Sequence, residues 1–390
     1  MASPLAPLFQ ESVDEVRQRE RNALEDLLNE RQRRVVLFGA GTLGKRALVL
    51  LREIGGNVLA YSDNNSAAWD TQIENIPVLS PERVAALYGN SALFLVTIWN
   101  DHHWFSETFA QLSGLGCTLI SSYAPLYWRF PDTFMQLLLL NEPPHRLYLQ
   151  AEAVLRAEGV WADQESLNAY RSNIRWRAVG DARDLPGRPR LNTYFPAELF
   201  TLNGSDSLLD CGAFDGDTIR QALECSDSSI RAVYAIEADS LSFARLQGFV
   251  KSLGAEISQR IRTFNCAVGL ERGFVRFECS GSLTSKVSVE GSLVELFPLD
   301  EIFADTPVTM IKMDIEGAEY DALRGAAKII RRDQPILAIC VYHTQNDIWR
   351  IPLLVHEMLP EHRFYLRAYE GDGFQTVMYA VPSNRILQKN

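Results

Sequence analysis

The sequence predicts an α/β chain of two doubly wound, Rossmann-like domains in tandem, and three observations carry that prediction. A short apolar strand runs into a glycine-bearing turn and then a helix twice, at "VVLFGAGTLGKR" and at "LLDCGAFDGDTI". After each corner, strands and helices alternate, as in a mostly parallel sheet covered by helices. The last two strands, "HRFYLRAYE" and "QTVMYAVP", flank the turn "GDGF" and form a terminal β-hairpin. With 390 residues and 47% hydrophobic content, the chain is long enough for two well-cored domains.

Residues 1–31 read as an N-terminal helix, with Val13, Val16, Ala23, Leu24, Leu27 and Leu28 at helical spacing, lying on the surface. Residues 32–125 read as a small parallel domain. Strand Val35 to Phe38 meets Gly39, Gly41 and Gly44, a helix follows, and a second strand ends at Asp63, about twenty residues on, the spacing of a dinucleotide corner. "SALFLVTIWN" and "CTLISS" extend the sheet. Residues 126–205 are broken by "NEPPHR" and "DLPGRPR" and otherwise helical in period, a connector. Residues 206–390 carry the strands "SLLDCG", "AVYAIEAD", "IRTFNCAVG", "TMIKMDIEG" and "ILAICVYH" before the hairpin.

The two corners have opposite chemistry. "GAGTLGKR" holds no acid and places Lys45 and Arg46 near a helix start, so backbone N–H groups and side-chain charge favour a phosphate. "GAFDGDTI" puts Asp215 and Asp217 where a pyrophosphate would sit, opposing it by several kcal/mol at an effective dielectric of about 20. Such a corner wants a cation. S-adenosylmethionine, with an ammonium, a sulfonium and no phosphate, fits it, and five parallel strands with a terminal hairpin is the layout of a class I methyltransferase fold. The expected cofactor contacts are Asp210, Gly212, Ala213, Phe214, Asp215, Gly216 and Asp217, with Glu237 and Ala238 at the next strand's end, where a carboxylate accepts ribose hydroxyls. Cys266 and Ala267 close the third strand, where adenine is met.

"TYFPAELFTLNGSDSLLDCGAFDGDTI", "IKMDIEGAEYDALRGA", "VYHTQNDIWRIPLLVHEM" and "FYLRAYEGDGFQTVMYAVP" resemble the FkbM family of methyltransferases over residues 193–382. That resemblance implies O-methylation of a hydroxyl on a sugar-bearing or polyketide-like small molecule. In the last motif, family members often carry His where this chain has Ala368, so no role for that histidine transfers. The N-terminal domain resembles nucleotide-binding domains appended to sugar-modifying enzymes, with Gly39, Gly41, Gly44, Lys45 and Asp63 as a second nucleotide or nucleotide-sugar site, or as part of a gating or dimerising device.

Strand alternation puts Lys312, Asp314 and Glu316 on one face beside the first strand of their sheet, so Lys312 is expected to pair with one of these acids or with Asp210. Glu319 reads as a surface acid of a first helical turn. His343 ends the next strand at the same sheet edge. His343, Asp314 and Glu316 are the catalytic candidates, as a base within reach of a hydroxyl. A divalent ion in this cluster is the weaker alternative, with one histidine and no strict ligand spacing, and no metal is assigned.

A nicotinamide-dependent oxidoreductase is the competing reading, resting on the first corner and on His102 and His103. A non-catalytic nucleotide-sugar-binding protein is the third. The formal charge of −11 and the lack of a basic, aromatic-interleaved patch exclude nucleic acid as a partner. Six cysteines without CxxC spacing, no export-signal pattern and no long apolar run predict a cytoplasmic chain without a membrane anchor.

Overall fold

The computed structural model describes residues 3–100, 103–131, 133–134, 142–185, 192–277, 291–369 and 371–387. His102 and Cys279 lie outside them. The first sheet contains β1 (Arg34–Phe38), β2 (Asn57–Ser62), β3 (Gln72–Ile73), β4 (Ile76–Leu79), β5 (Leu93–Val96) and β6 (Ile120–Ser122) in the order β3-β4-β2-β1-β5-β6. All its pairings are parallel except β3 with β4, a short edge hairpin that the sequence pattern did not show.

The second half has β7 (Ser207–Cys211), β8 (Ala232–Ile236), β9 (Ile261–Phe264), β10 (Ala267–Val268), β11 (Gly273–Phe277), β12 (Ser292–Phe297), β13 (Met310–Met313), β14 (Ile336–Cys340), β15 (Arg363–Ala368) and β16 (Thr376–Val381). Its main sheet runs β15-β16-β14-β13-β7-β8-β9. β7, β8, β9, β13 and β14 are parallel and the β15–β16 hairpin closes the edge antiparallel, as expected. The central strands β7, β13 and β14 are buried along their whole length, which is why they read as mainly apolar runs, with Asp210 and Lys312 as the charged exceptions. β7 lies between β8 and β13, so the chain order reverses there, and a crevice opens at the strands' carboxyl ends.

A small sheet, β10-β12-β11, is inserted between β9 and β13. It changes the reading of "IRTFNCAVG": the third strand stops at Phe264, Asn265 turns the chain, and Ala267 already belongs to the small sheet.

The N-terminal helix Val13–Glu30 starts on a capping box between Ser12 and Glu15 and buries Val16, Leu24 and Leu28. It packs against the helices Ala124–Arg129 and Pro144–Tyr148. The helix Gln164–Val179 lies on β15, and its polar composition has a structural cause. Arg177 is buried among Tyr170, Ile174 and Trp176, with Nη1 donating to Asn173 Oδ1 at 2.8 Å and Nε to the Gln345 carbonyl at 3.2 Å. None of the described helices is long and apolar enough to cross a membrane.

Candidate active site

The β7 corner is shaped by two glycines in the left-handed region, Gly212 (φ 80°) and Gly216 (φ 93°). A Cβ on Gly212 would overlap the carbonyl oxygen of Asp314, and one on Gly216 would overlap the Phe249 ring. Both glycines therefore permit close packing of β7 on its neighbours. The helix Asp217–Cys225 follows directly.

Glu237, at the end of β8, fixes the turn. Oε2 accepts from Phe214 N and Oε1 from Asp239 N, both at 2.8 Å, while Asn265 Nδ2 donates to the Glu237 carbonyl at 2.8 Å. Burial raises the pKa of this carboxyl against the lowering effect of the two N–H groups. Each oxygen keeps a further lone-pair site.

On the other side of β7, Lys312 stands in register with Asp210, and Nζ is 3.0 Å from Oδ1, both wholly or nearly buried. Nζ also donates to the Gly212 carbonyl at 2.7 Å and lies 5.0 Å from the centre of the Tyr194 ring. Burial disfavours the ammonium, but Asp210, Asp314 and Asp217 outweigh it and raise its pKa. Burial pushes Asp210 up to about 6 against the pull of Lys312, so both are ionised at neutral pH.

Asp314 and Glu316 follow β13, and His343 follows β14. His343 is wholly buried, with Nε2 3.1 Å from Asp314 Oδ1 and 4.0 Å from Glu316 Oε2, and Nδ1 2.9 Å from Glu319 Oε1. Its ring lies 4.2 Å from that of Tyr342. Burial alone would discharge the imidazole, yet Glu319 and Asp314 raise its pKa well above the ordinary range. Asp314 moves the other way: burial raises it, and His343, Lys312 and the hydroxyl of Tyr194 lower it further. His343 does not itself line the cavity: its ring nitrogens face carboxylates of this chain, Asp314 at Nε2 and Glu319 at Nδ1. The reading of Glu319 is corrected. It is not a surface acid but fully buried, accepting from Ile315 N at 2.8 Å and Gly317 N at 3.1 Å.

A cavity of about 490 Å³ spans the edge from β8 to β13. Gly212, Phe214, Asp217, Glu237, Ala238, Cys266 and Ala267 line it, with Lys312, Asp314 and Glu316 on the far side. Asp210 lies beneath, against Lys312. Ala213 and Gly216 support the turn from inside. Asp215, expected among the cofactor contacts, is not part of the cavity lining and pairs with Arg220 at 3.1 Å. Asp217 faces the cavity and also accepts from Thr218 N at 2.7 Å. The lining has six carboxylates (Asp217, Glu237, Glu271, Asp314, Glu316 and Asp321) against Arg272 and Lys312. Tyr194 was not among the expected site residues, although it opens the motif "TYFPAELF"; its hydroxyl donates to Asp314 Oδ2 at 2.7 Å from a segment far away in the chain.

The N-terminal corner repeats the same device. Asp63 accepts from Ala40 N and Asn65 N, both at 2.9 Å. Gly39 (φ 116°) and Gly44 are explained by packing: Cβ atoms there would overlap Ile98 and Thr97, and the Gly39 carbonyl. Gly41 has open space instead, and Lys45 is exposed. The loop after β5 leads from this domain toward the cavity, with Trp99 on Phe374 (5.5 Å) and Phe374 on Tyr342 (6.0 Å).

Residues 210–372 match the Methyltransferase FkbM domain family. The chain also superposes on the crystal structure of a methyltransferase FkbM from Methylobacillus flagellatus KT. The TM-score is 0.75 and the identity 19%, covering 97% of this chain and 99% of that one, a likeness that shows the shared fold. An rRNA methylase from Streptococcus thermophilus is 15% identical over 48% of this chain and 92% of its own, with a TM-score of 0.29. A structure of RSP with beta-NAD+ and operator DNA is 22% identical over 23% and 42%, with a TM-score of 0.20. Both are too distant to bear on the site. No curated protein matches the chain.

Proposed function

Residues 210–372 match the FkbM methyltransferase domain, and from that match we propose that this chain transfers the methyl group of S-adenosylmethionine to a hydroxyl oxygen of a saccharide or polyketide-like small molecule. The observation that carries this reading is the charge of the cavity, six carboxylates against two cations, with Glu237 on one side of the β7 corner and Asp314 on the other. A pyrophosphate is repelled there, whereas a cofactor with a ribose and two cationic groups is matched. When bound, S-adenosylmethionine supplies a methyl on a sulfonium, whose C–S bond breaks with its electron pair returning to sulfur as the acceptor oxygen takes the carbon.

The chain's residues supply binding and alignment. Glu237, held by two backbone N–H groups, offers its remaining lone pairs to the ribose hydroxyls. Phe214, Ile236 and Val268 exclude water around the adenine. Asp314 and Glu316 accept the hydrogen bond of the acceptor hydroxyl and Glu316 receives its proton, while His343 and Tyr194 fix Asp314 from two sides. Calorimetry of the full chain tests this. S-adenosylhomocysteine should bind one per chain at micromolar affinity and lose it on Glu237→Gln. Binding of NAD that is lost on the same substitution would overturn the reading.

The N-terminal corner is proposed to hold a nucleotide or nucleotide-linked sugar, supported by the open space at Gly41 and the exposed Lys45. Thermal shifts with UDP, dTDP and GDP sugars and NAD(P) should show stabilisation that Gly41→Glu removes. No shift with any of them would leave the corner a packing device.

A further inference from the structure

We propose that Asp314, Glu316 and His343 form a binding site for one first-row divalent cation, such as Mn2+, whose open positions face the cavity and chelate an acceptor carrying two adjacent oxygens. The three side chains come from two strand ends, and one ligand atom of each lies within 4.8 Å of the others. An octahedral ion bonded at about 2.1 Å sets neighbouring ligands roughly 3.0 Å apart, a spacing that His343 Nε2 and Asp314 Oδ1 already have at 3.1 Å, so a movement of the Glu316 carboxylate by about 1 to 2 Å completes the set. One imidazole with two carboxylates suits such an ion.

Two independent features point to an occupant. His343 is wholly buried, and although carboxylate oxygens lie near both ring nitrogens, neither nitrogen makes an aligned hydrogen bond. Its surroundings are also those of a metal ligand. Glu319 stands 2.9 Å behind Nδ1, anchored by Ile315 N and Gly317 N, which aims Nε2 at Asp314 and Glu316. Tyr194 holds Asp314 Oδ2 and leaves Oδ1 beside Nε2. Glu316 sits at φ 57°, a left-handed conformation that a glutamate keeps only when the surroundings enforce it. Asp314 and Glu316 line the cavity, so water or an acceptor reaches the remaining positions.

The acceptor's place follows from the reading above, whereas ion binding stands apart from it. The test is titration of the chelator-treated full chain with MnCl2, followed by electron paramagnetic resonance of free Mn2+ and by calorimetry, with S-adenosylhomocysteine affinity measured in parallel. One Mn2+ per chain is expected, weakened about 10- to 100-fold by Glu319→Gln, which keeps its S-adenosylhomocysteine affinity, and at least as much by Glu316→Gln. Glu316 is partly exposed, so its variant remains informative if Glu319→Gln fails to fold. A folded wild-type chain that takes up no Mn2+ at millimolar concentration, or equal uptake by folded Glu316→Gln, overturns the proposal. Mn2+ uptake without S-adenosylhomocysteine binding would sink the cofactor reading and leave the ion site standing.

Discussion

Glu237→Gln separates the carboxylate's two jobs. In the native chain its oxygens each accept one backbone N–H at 2.8 Å, from Phe214 and from Asp239. The amide keeps one acceptor and turns an NH2 group toward the other N–H. One charge-assisted bond is lost and one buried donor is left unmet, costing about 1.5 to 3 kcal/mol of stability. The replaced oxygen also no longer accepts a ribose hydroxyl, another charged bond of similar size, which corresponds to roughly a 10- to 150-fold weaker cofactor. Relief of the buried charge, whose pKa is already raised, trims the stability cost and leaves the affinity loss intact. Chemical denaturation gives the first quantity and calorimetry with S-adenosylhomocysteine the second. A folded variant that binds the cofactor as tightly as the native chain refutes the assignment of Glu237 to the ribose.

Tyr194→Phe removes the hydroxyl that holds Asp314 Oδ2, and turnover should fall about tenfold with cofactor affinity nearly unchanged; an equal loss in both would mean that Tyr194 supports the cofactor pocket instead. Lys312→Met leaves Asp210 buried without its cation and should cost about 3 to 5 kcal/mol in urea unfolding. Adding Asp210→Asn should recover part of that, and strict additivity of the two changes would contradict the pairing. Burial pushes His103 down to about 4 from its ordinary 6.5. Its neutral form is favoured by folding, so its contribution is complete above pH 6.5 and is lost as pH falls toward 4, by at most about 3 kcal/mol. Replacement by Gln should flatten the acid limb of the stability profile over that window, and an unchanged limb would show that His103 is not responsible.

The sequence showed what local pattern controls. Strand alternation put Lys312 and Asp314 on the crevice side of their strand, and the alternation of short, mainly apolar segments with helical stretches marked β7, β13 and β14 as strands of a parallel sheet. The terminal hairpin was visible because "GDGF" separates two alternating segments. What stayed hidden depends on distant packing. Glu319 occupies a helical first turn, where an acid is ordinarily solvated, and only the arrival of His343 from the next strand makes it a buried partner. Tyr194 lies in an irregular segment with no periodic signal, yet it reaches Asp314. Asp215 and Asp217 are equivalent in the string, but the left-handed turn at Gly216 sends one toward Arg220 and the other toward the cavity. The short strands of the inserted sheet stayed hidden because apolar side chains stand on their solvent faces, with Phe274 of β11 and Leu293 of β12 both exposed.

The proposed reaction moves a methyl group from S-adenosylmethionine to a hydroxyl oxygen in this cavity. Its most direct test is carbon NMR of small-molecule and saccharide extracts incubated with the full chain and methyl-13C S-adenosylmethionine, beside the Asp314→Asn variant. New 13C signals are expected in the methoxy region, much reduced with the variant. Label appearing on nitrogen or carbon, or methoxy signals of equal strength with folded Asp314→Asn, would contradict it.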